Sequence, residues 1–388
     1  MKSKPLVSII LPSYNHGKYI GEAIESVLKQ DFGDFEFLIS DDASLDNTAE
    51  IIKKYNDPRI KAHFFKCNQG ATLNGGYLLN QVKGKYVALI NSDDVWLPNK
   101  LSTQVKFMES HPEYGACFTW AKLIDENGED IKAKDLVFNQ PNRTQGGWLE
   151  YFFTKGNCLC HPSMLIKSEA YQVVGSYNLA MRQLPDFDMW VRLAKKYPIH
   201  IITDVYVAHR RFIHSGENTS SPILSNSLRD INESSFVLSR VLDDIDDDIF
   251  EEGFKKLFRK SGKLSHEDLM CEKFFLLLDG KYYMGVIPIL TAITYFFKIY
   301  NIPNVVETFR DHYNFTMQDF HQITGKLDLV GMLPKEVSAG SALEFDIDRY
   351  VKENKAKVLS LLLFNKESKS YRFFKKIFFK IRGRQINY

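Results

Sequence analysis

What this chain lacks bounds what it can be. Five cysteines among 388 residues, an odd number in a long chain, argue against a secreted disulfide scaffold and for a reducing compartment. No charge of one sign dominates. Lys and Arg number 50 against 48 Asp and Glu, a net charge of +2, so nothing in the balance suggests a nucleic-acid partner. No Gly-x-Gly-x-x-Gly follows any early strand, which rejects dinucleotide binding. No secretory leader is seen: Met1-Lys-Ser-Lys-Pro5 leads straight into an apolar run of strand length, and a cytoplasmic setting is expected. One uncharged stretch, the 16 residues from Tyr282 to Phe297, has to be weighed as a membrane span. A span needs about 20 residues, and this one contains Pro288 and follows Asp279-Gly-Lys281, so a buried core helix is expected instead.

What is present is ordinary globular composition, 44% hydrophobic and 25% charged, which excludes wholesale disorder or a fibrous protein. The length suggests two or three domains. The first 120 residues alternate. Short β-rich runs at 6–11, 35–40, 60–65, 86–90 and 116–120 are separated by segments of helical spacing at 20–28, 48–55, 73–82 and 101–110. Such alternation predicts an α/β fold with a mostly parallel sheet covered on both faces. Ligands then bind beyond the carboxyl ends of the strands. From about Gly128 to Gly156 the pattern dissolves into polar and turn residues, read as a long excursion near the site. Regular elements resume at 162–167, 186–196 and 199–209. Beyond Ser221 the spacing becomes helical, placing a boundary near Pro222. The expected division is an α/β domain over 1–221, a helical domain over 222–365 and a tail over 366–388.

Two strand ends carry paired acids: Asp41-Asp42 after the second strand and Asn91-Ser-Asp-Asp94 after the fourth. A third carries Pro12-Ser-Tyr-Asn15. Adjacent carboxylates repel one another, a cost that a hard divalent cation offsets, and oxygen ligands with a diphosphate suit Mg²⁺ or Mn²⁺. Either pair alone could equally cap the next helix. Two pairs on separate strand ends favour a ligand site.

Taken in order, Val7-Ser-Ile-Ile-Leu-Pro-Ser-Tyr-Asn15, Gln30-Asp-Phe32, Asp41-Asp-Ala-Ser-Leu-Asp-Asn-Thr48 and Asn91-Ser-Asp-Asp94 resemble the successive signatures of family 2 glycosyltransferases with the GT-A fold. The resemblance runs from about residue 5 to residue 220. It implies that Pro12 and Tyr14 flank the nucleotide base, with Tyr14 stacking on it. It implies that Asp42 accepts a hydrogen bond from the imide nitrogen of uracil or thymine, and that Asn74 contacts the nucleotide. Asp93 and Asp94 take the place of the family's metal- and ribose-binding acids, while Asn91 stands where many members carry another Asp.

Pro185-Asp-Phe-Asp-Met-Trp-Val-Arg-Leu193 begins a helix with Asp188 and Arg192 paired at i, i+4, and Pro185 and Asp186 suit a helix start in their own right. The family usually reads Glu-Asp here, its Asp being the catalytic base. The resemblance implies that role for Asp186, with Asp188 and Arg192 in a structural or acceptor-binding role. The family often closes its fold with Arg-x-His before small polar residues, and that His can ligate the metal. Here the segment is Arg211-Phe-Ile-His214, one residue longer, so His214 is the implied ligand and His209 its rival. Cys158-Leu-Cys-His161 lacks the spacing of a zinc site. The same segment lies where the family lines the donor-sugar pocket, and a close backbone approach there would explain Gly156.

The expected reaction is inverting transfer of a sugar from a nucleoside diphosphate sugar, a UDP-sugar, to a glycan or lipid-linked glycan hydroxyl, with Asp186 as base. A sugar-phosphate nucleotidyltransferase would need a Gly-rich basic loop where Pro12-Ser-Tyr-Asn-His-Gly17 stands. A non-catalytic sugar- or nucleotide-binding module is the other alternative. The tail has eight basic residues against one acid, Glu367, for a local charge of +7. Phe373, Phe374, Ile377, Phe378 and Ile381 form one helical stripe in it, a pattern suited to an anionic membrane surface. Asp243 to Glu252 has seven acids in ten residues but lacks the Gly and spacing of a calcium loop, and reads as a linker or helix start.

Overall fold

The structure is a computed structural model that describes residues 4–133, 136–212, 223–280, 283 and 289–325. Strands and helices alternate at first: β1 (Val7–Ser13), α1 (Ile20–Leu28), β2 (Phe35–Asp41), α2 (Thr48–Lys53), β3 (Ile60–Phe64), α3 (Ala71–Leu79), β4 (Tyr86–Leu89), β5 (Val95–Trp96) and α4 (Lys100–Ser110). Then come β6 (Ala116–Ile124), β7 (Asp130–Ile131), α5 (Gln145–Lys155), β8 (Leu165–Lys167), α6 (Ser168–Val174), α7 (Pro185–Ala194) and β9 (Ile199–Arg210). The remainder is helical: α8 (Leu224–Ser239), α9 (Asp247–Phe254), α10 (His266–Leu278), α11 (Ile289–Ile299), α12 (Val305–Tyr313) and α13 (Met317–Thr324).

The strands form one sheet in the order β3-β2-β1-β4-β8-β6-β9-β5, with β7 beside β6. β3, β2, β1 and β4 are mutually parallel, as are β6 and β9. Between β4 and β6 the short β8 runs antiparallel to both. The alternation of the first 120 residues does not foresee this insertion, because β8 begins at Leu165, far beyond the end of β6 at Ile124. The reversal has a consequence for the site. It carries the chain just before β8, residues 157–164, to the sheet edge where β4 ends.

Because strand side chains alternate between faces, Val7, Ile9, Leu11, Phe37, Ile39 and Ala88 share one buried cluster with Ile20, Ile24 and Val27 of α1 and Leu101 and Val105 of α4. Ile10, Leu38, Val87 and Leu89, at the alternate positions, are buried too. Strands buried on both faces read as continuous apolar runs, which is how β1, β2 and β4 read in the sequence.

The stretch 128–156, expected as an irregular excursion, holds the helix α5, whose Trp148, Leu149, Phe152 and Phe153 are buried. Among the described residues, 4–212 and 229–292 fall in one compact unit, and 223–228 with 293–325 in another. The helices after Pro222 thus do not all fall together, and a packing detail gives the reason. α9 crosses α5 where Gly253 meets Gly146: a Cβ on Gly253 would stand 2.1 Å from the Gly146 oxygen, and one on Gly146 2.2 Å from the Ile249 oxygen. Phe254 packs edge-on to Phe153. The acidic run 243–252 ends in this helix, with Asp247 paired to His266 and Lys273. In the second unit Phe296 stacks on Phe320 with ring centroids 3.9 Å apart, and Thr316 and Asp319 cap α13 reciprocally.

Among the described residues no helix is long and apolar enough to cross a membrane. His214 and the basic tail 366–388 lie outside the described residues.

Candidate active site

The strand order β2-β1-β4 brings the carboxyl ends of three adjacent parallel strands to one edge, with the Pro12-Tyr14, Asp41-Asp42 and Asn91-Asp94 segments side by side. Tyr14 leaves β1 with its ring 40% exposed, free to stack. Asp42 is buried, and its carboxylate accepts the backbone N–H groups of Gln69 (2.7 Å) and Gly70 (2.8 Å). That fixes the turn entering α3, where Gly70 takes φ +89°. Asn74 is buried one turn later. It accepts from Ser40 Oγ and donates from Nδ2 to the Ser13 carbonyl (3.2 Å), tying the ends of β1 and β2 together.

After β4 the two acids part company. Asp94 is buried and fully engaged: Oδ1 accepts from the Arg210 backbone N–H (2.8 Å) and meets His209 Nδ1 (2.9 Å), and Oδ2 accepts from Asn91 Nδ2 (2.8 Å). Burial would raise its carboxyl, but the nearby His209 charge and these hydrogen bonds outweigh burial and hold it below the usual carboxylate range. Asp93 is half-buried, and its own backbone amide is the hydrogen-bond donor that lowers its carboxyl. Burial, then the Asp94 charge beside it, pushes Asp93 above its ordinary value, against the pull of His16 and His209. Asp93 is therefore the acid open to a cation, with Asp94 locked behind it. Arg210 does the locking: Nε donates to the Asp93 carbonyl (2.8 Å), Nη1 to the Asp125 carbonyl (2.8 Å) and Nη2 to the Glu22 carboxylate (2.6 Å). His16 lies opposite, its Nδ1 2.7 Å from Ser92 Oγ and its ring against Tyr19 and Phe212.

The antiparallel β8 closes the other side. Its leading turn, 161–163, is fastened to β5 by Trp96 Nε1 donating to the Pro162 carbonyl (2.9 Å). His161 Nε2 lies 2.8 Å from the Tyr177 hydroxyl. Burial holds the His161 ring below its ordinary value, opposed by the charges of Asp186 and Asp94. Asp186 sits in the first turn of α7, half-buried, and its two oxygens are held differently: Oδ1 accepts the Phe187 N–H (2.8 Å) and Oδ2 accepts from Asn157 Nδ2 (3.1 Å). Leu159 N–H in turn donates to Asn157 Oδ1 (3.2 Å), fixing the amide.

Three expectations meet different surroundings. Gly156 caps α5 with φ +85°, and a Cβ there would fall 2.8 Å from the Tyr283 ring, so its close approach is to that ring. Asp188 and Arg192 pair at 2.8 Å, and the guanidinium also donates to the carbonyls of Val174, Gly175 and Ser176. They brace the turn after α6. Cys158 and Cys160 are buried, and burial pushes both thiols up, which suits core thiols rather than metal ligands. Among the described residues no group of three His, Cys, Asp or Glu side chains could by itself hold a metal. Asn157, Arg210 and His16 were not singled out from sequence. Their bonds to Asp186, Asp93 and Ser92 span 29, 117 and 76 residues, and no local spacing announces them.

This arrangement can now be set beside known proteins. Residues 8–172 match the family model Glycosyl transferase family 2. The chain is 32% identical over 212 residues to an uncharacterized glycosyltransferase of Methanocaldococcus jannaschii, covering 53% of this chain and 71% of that protein. The chain is a family 2 glycosyltransferase. It is also 33% identical over 197 residues to the putative teichuronic acid biosynthesis glycosyltransferase TuaG of Bacillus subtilis, covering 50% of this chain and 73% of that one. Among solved structures it shares its fold with residues 1–349 of S. aureus TarS in complex with UDP, at TM-score 0.52 and 20% identity over 80% of this chain and 92% of that one. This family 2 glycosyltransferase has the GT-A type of fold. The family match ends at residue 172, so α7 with Asp186 lies beyond it.

Proposed function

We propose that this glycosyltransferase moves a sugar from a UDP-sugar to a hydroxyl of a glycan or lipid-linked glycan, inverting the anomeric configuration. The observation that supports the reading is two differently held acids: Asp93 after β4, raised by burial and the Asp94 charge, and Asp186 in the first turn of α7, held by Asn157 and the Phe187 amide.

In this reading Tyr14 stacks on the uracil and Asp42 accepts its imide N–H. Asp42 is positioned for this by the two amides that already fix it. TarS, which shares the fold, has been crystallised with UDP and with UDP-GlcNAc, which supports the choice of donor. One carboxylate with a substrate diphosphate is a donor set that Mg²⁺ or Mn²⁺ accepts, since such ions bind through one or two carboxylates plus substrate phosphates. Asp93 would hold the ion, and Asp94, His209 and Arg210 would keep Asp93 in place. When bound, the ion offsets negative charge on the departing diphosphate.

The chain's own groups do the rest. Asp186 Oδ2 takes the proton of the acceptor hydroxyl as its oxygen bonds to the anomeric carbon, and the bond from that carbon to the diphosphate oxygen breaks. UDP leaves, and a single displacement from the opposite face inverts the centre. The test is a panel of UDP-hexoses and UDP-N-acetylhexosamines with and without Mn²⁺ or Mg²⁺, followed by NMR of the product anomer. UDP release that requires the metal, an inverted product and loss of turnover in Asp186→Asn are expected. Donor binding by calorimetry with no release or transfer would make the protein a binding module, and a retained anomer would remove Asp186 from the role of base.

A further inference from the structure

The chain just before α7 is held in an unusual way. Leu184, the residue at the helix start, has no side-chain cap of its own, and Pro185 follows with no N–H to satisfy. The need is met from far away in the sequence. The Glu233 carboxylate, on the part of α8 that belongs to the first compact unit, accepts three consecutive backbone N–H groups. Arg182 donates to Oε1 (2.9 Å), while Gln183 and Leu184 both donate to Oε2 (2.8 Å each). Glu233 is only 9% exposed, so these bonds act in a poorly solvated setting and hold firmly. On its other side the same loop is pinned to α3 by Thr72 Oγ1 donating to the Met181 carbonyl (2.8 Å). The next side chain but one after this clamp is Asp186. Asp230, one helical turn before Glu233, is pushed up mainly by burial and then by the charges of Glu233 and Asp186.

We infer that Glu233 is a positioning residue for transfer: by gathering the three amides of Arg182–Leu184 it fixes the entry of α7 and so the aim of the Asp186 carboxylate. The inference rests on the proposed role of Asp186 as base. An anion at the positive end of a helix is favourable in itself, but a purely stabilising role would not require kcat to follow the clamp. Glu233→Ala frees three donors at once. Glu233→Gln retains a carbonyl oxygen that can still accept from Gln183 and Leu184 while its amide group opposes Arg182.

The experiment is a double-mutant cycle on the full chain, using the UDP-sugar and Mn²⁺ that give turnover, with UDP affinity and hydrogen exchange of residues 178–186 measured in parallel. Glu233→Ala should lower kcat about 10- to 100-fold, the scale of an ångström of misplacement, with donor KM and UDP affinity within about threefold. Glu233→Gln should recover part of the loss. In an Asp186→Asn background Glu233→Ala should cost nothing further, because it acts through that carboxylate. The Arg182–Leu184 amides should exchange faster in Glu233→Ala and not in Asp186→Asn. Wild-type kcat in Glu233→Ala, an equal loss in both backgrounds, or unchanged exchange overturns the inference. Should Glu233→Ala fail to fold, Glu233→Gln carries the same comparison. Full turnover in Asp186→Asn alone would instead remove the base reading, and this inference with it.

Discussion

Carboxylates stand at both ends of the central sheet and are satisfied in opposite ways. At the amino ends of the strands, Glu36 of β2 accepts from Ser8 Oγ (2.6 Å), Lys61 Nζ (2.6 Å) and the Lys83 amide (2.9 Å). Glu109 takes Lys85 Nζ and the Tyr86 hydroxyl, each at 2.7 Å. Each of these two acids has a lysine. At the carboxyl ends, Asp41 is met by the Ser44 hydroxyl and amide, Asp42 by two amides and Asp94 by Asn91, His209 and an amide. None of these, nor Asp93, is ion-paired with a Lys or Arg side chain among the described residues. Amide and hydroxyl dipoles orient Asp41 and Asp42 without cancelling their charge, whereas Asp94 also faces His209. One end is therefore closed electrostatically and serves stability, while the other keeps a negative rim able to receive a cation and the diphosphate it accompanies.

The contrast can be broken at several points. Asp186→Asn should have the largest effect, lowering kcat by about 1,000-fold, within the range for losing a general base, while UDP binding by calorimetry stays intact. Asp93→Asn should lower metal-dependent kcat/KM by at least about 100-fold, since loss of a ligand exceeds loss of its supporting partners. The same change should stabilise the metal-free protein. A carboxyl whose folded value lies above its unfolded one loses stability as pH rises from the unfolded value through the folded one. Asn removes that cost, and Tm at pH 8 should rise by a few degrees. Asn157→Ala should lower kcat about 10-fold, the order expected for one hydrogen bond to a charged group, with donor KM little changed.

At the closed end the expectation reverses. Glu36→Gln should leave kcat within about twofold and cost about 1–3 kcal/mol by chemical denaturation, as for a buried hydrogen-bonded network losing its charge. Burial would raise Glu36, but the Lys61, Ser8 and Lys83 bonds and the Lys61 charge hold it below its ordinary 4.5. Its contribution is thus fully present above pH 4.5 and is lost as pH falls through the folded value. The wild type should lose stability faster than Glu36→Gln over that acidic range. Parallel curves would show that the Lys61 pairing contributes nothing.

Much of this layout was legible because its signals are local. Apolar runs of strand length, helical spacing and acids just past strand ends need only a few neighbouring residues, and they located β1, β2, β4 and the acids Asp42, Asp93 and Asp94, whereas Asp186 was reached only through the resemblance. What could not be read depends on partners far along the chain. The sequence placed Asp93 and Asp94 together, and only β9, folding back with His209 and Arg210, divides them into an open acid and a locked one. α5 looked irregular because its apolar residues follow Gly146-Gly147 and are buried by later elements, α9 among them. The i, i+4 spacing of Asp188 and Arg192 announced their pairing, but the carbonyls of Val174–Ser176 that occupy Arg192 carry no side-chain signature. Glu233 is an ordinary helical glutamate until the turn it holds is seen.

The most direct measurement is a crystal structure with UDP and Mn²⁺, the ion located by its anomalous scattering. Mn²⁺ bonded to the Asp93 carboxylate and to the diphosphate, with uracil against Tyr14 and Asp186 Oδ2 facing the side on which a donor sugar would lie, is the expected result. Mn²⁺ or the nucleotide bound away from Asp93, or Asp186 opening onto a different cavity, would contradict it.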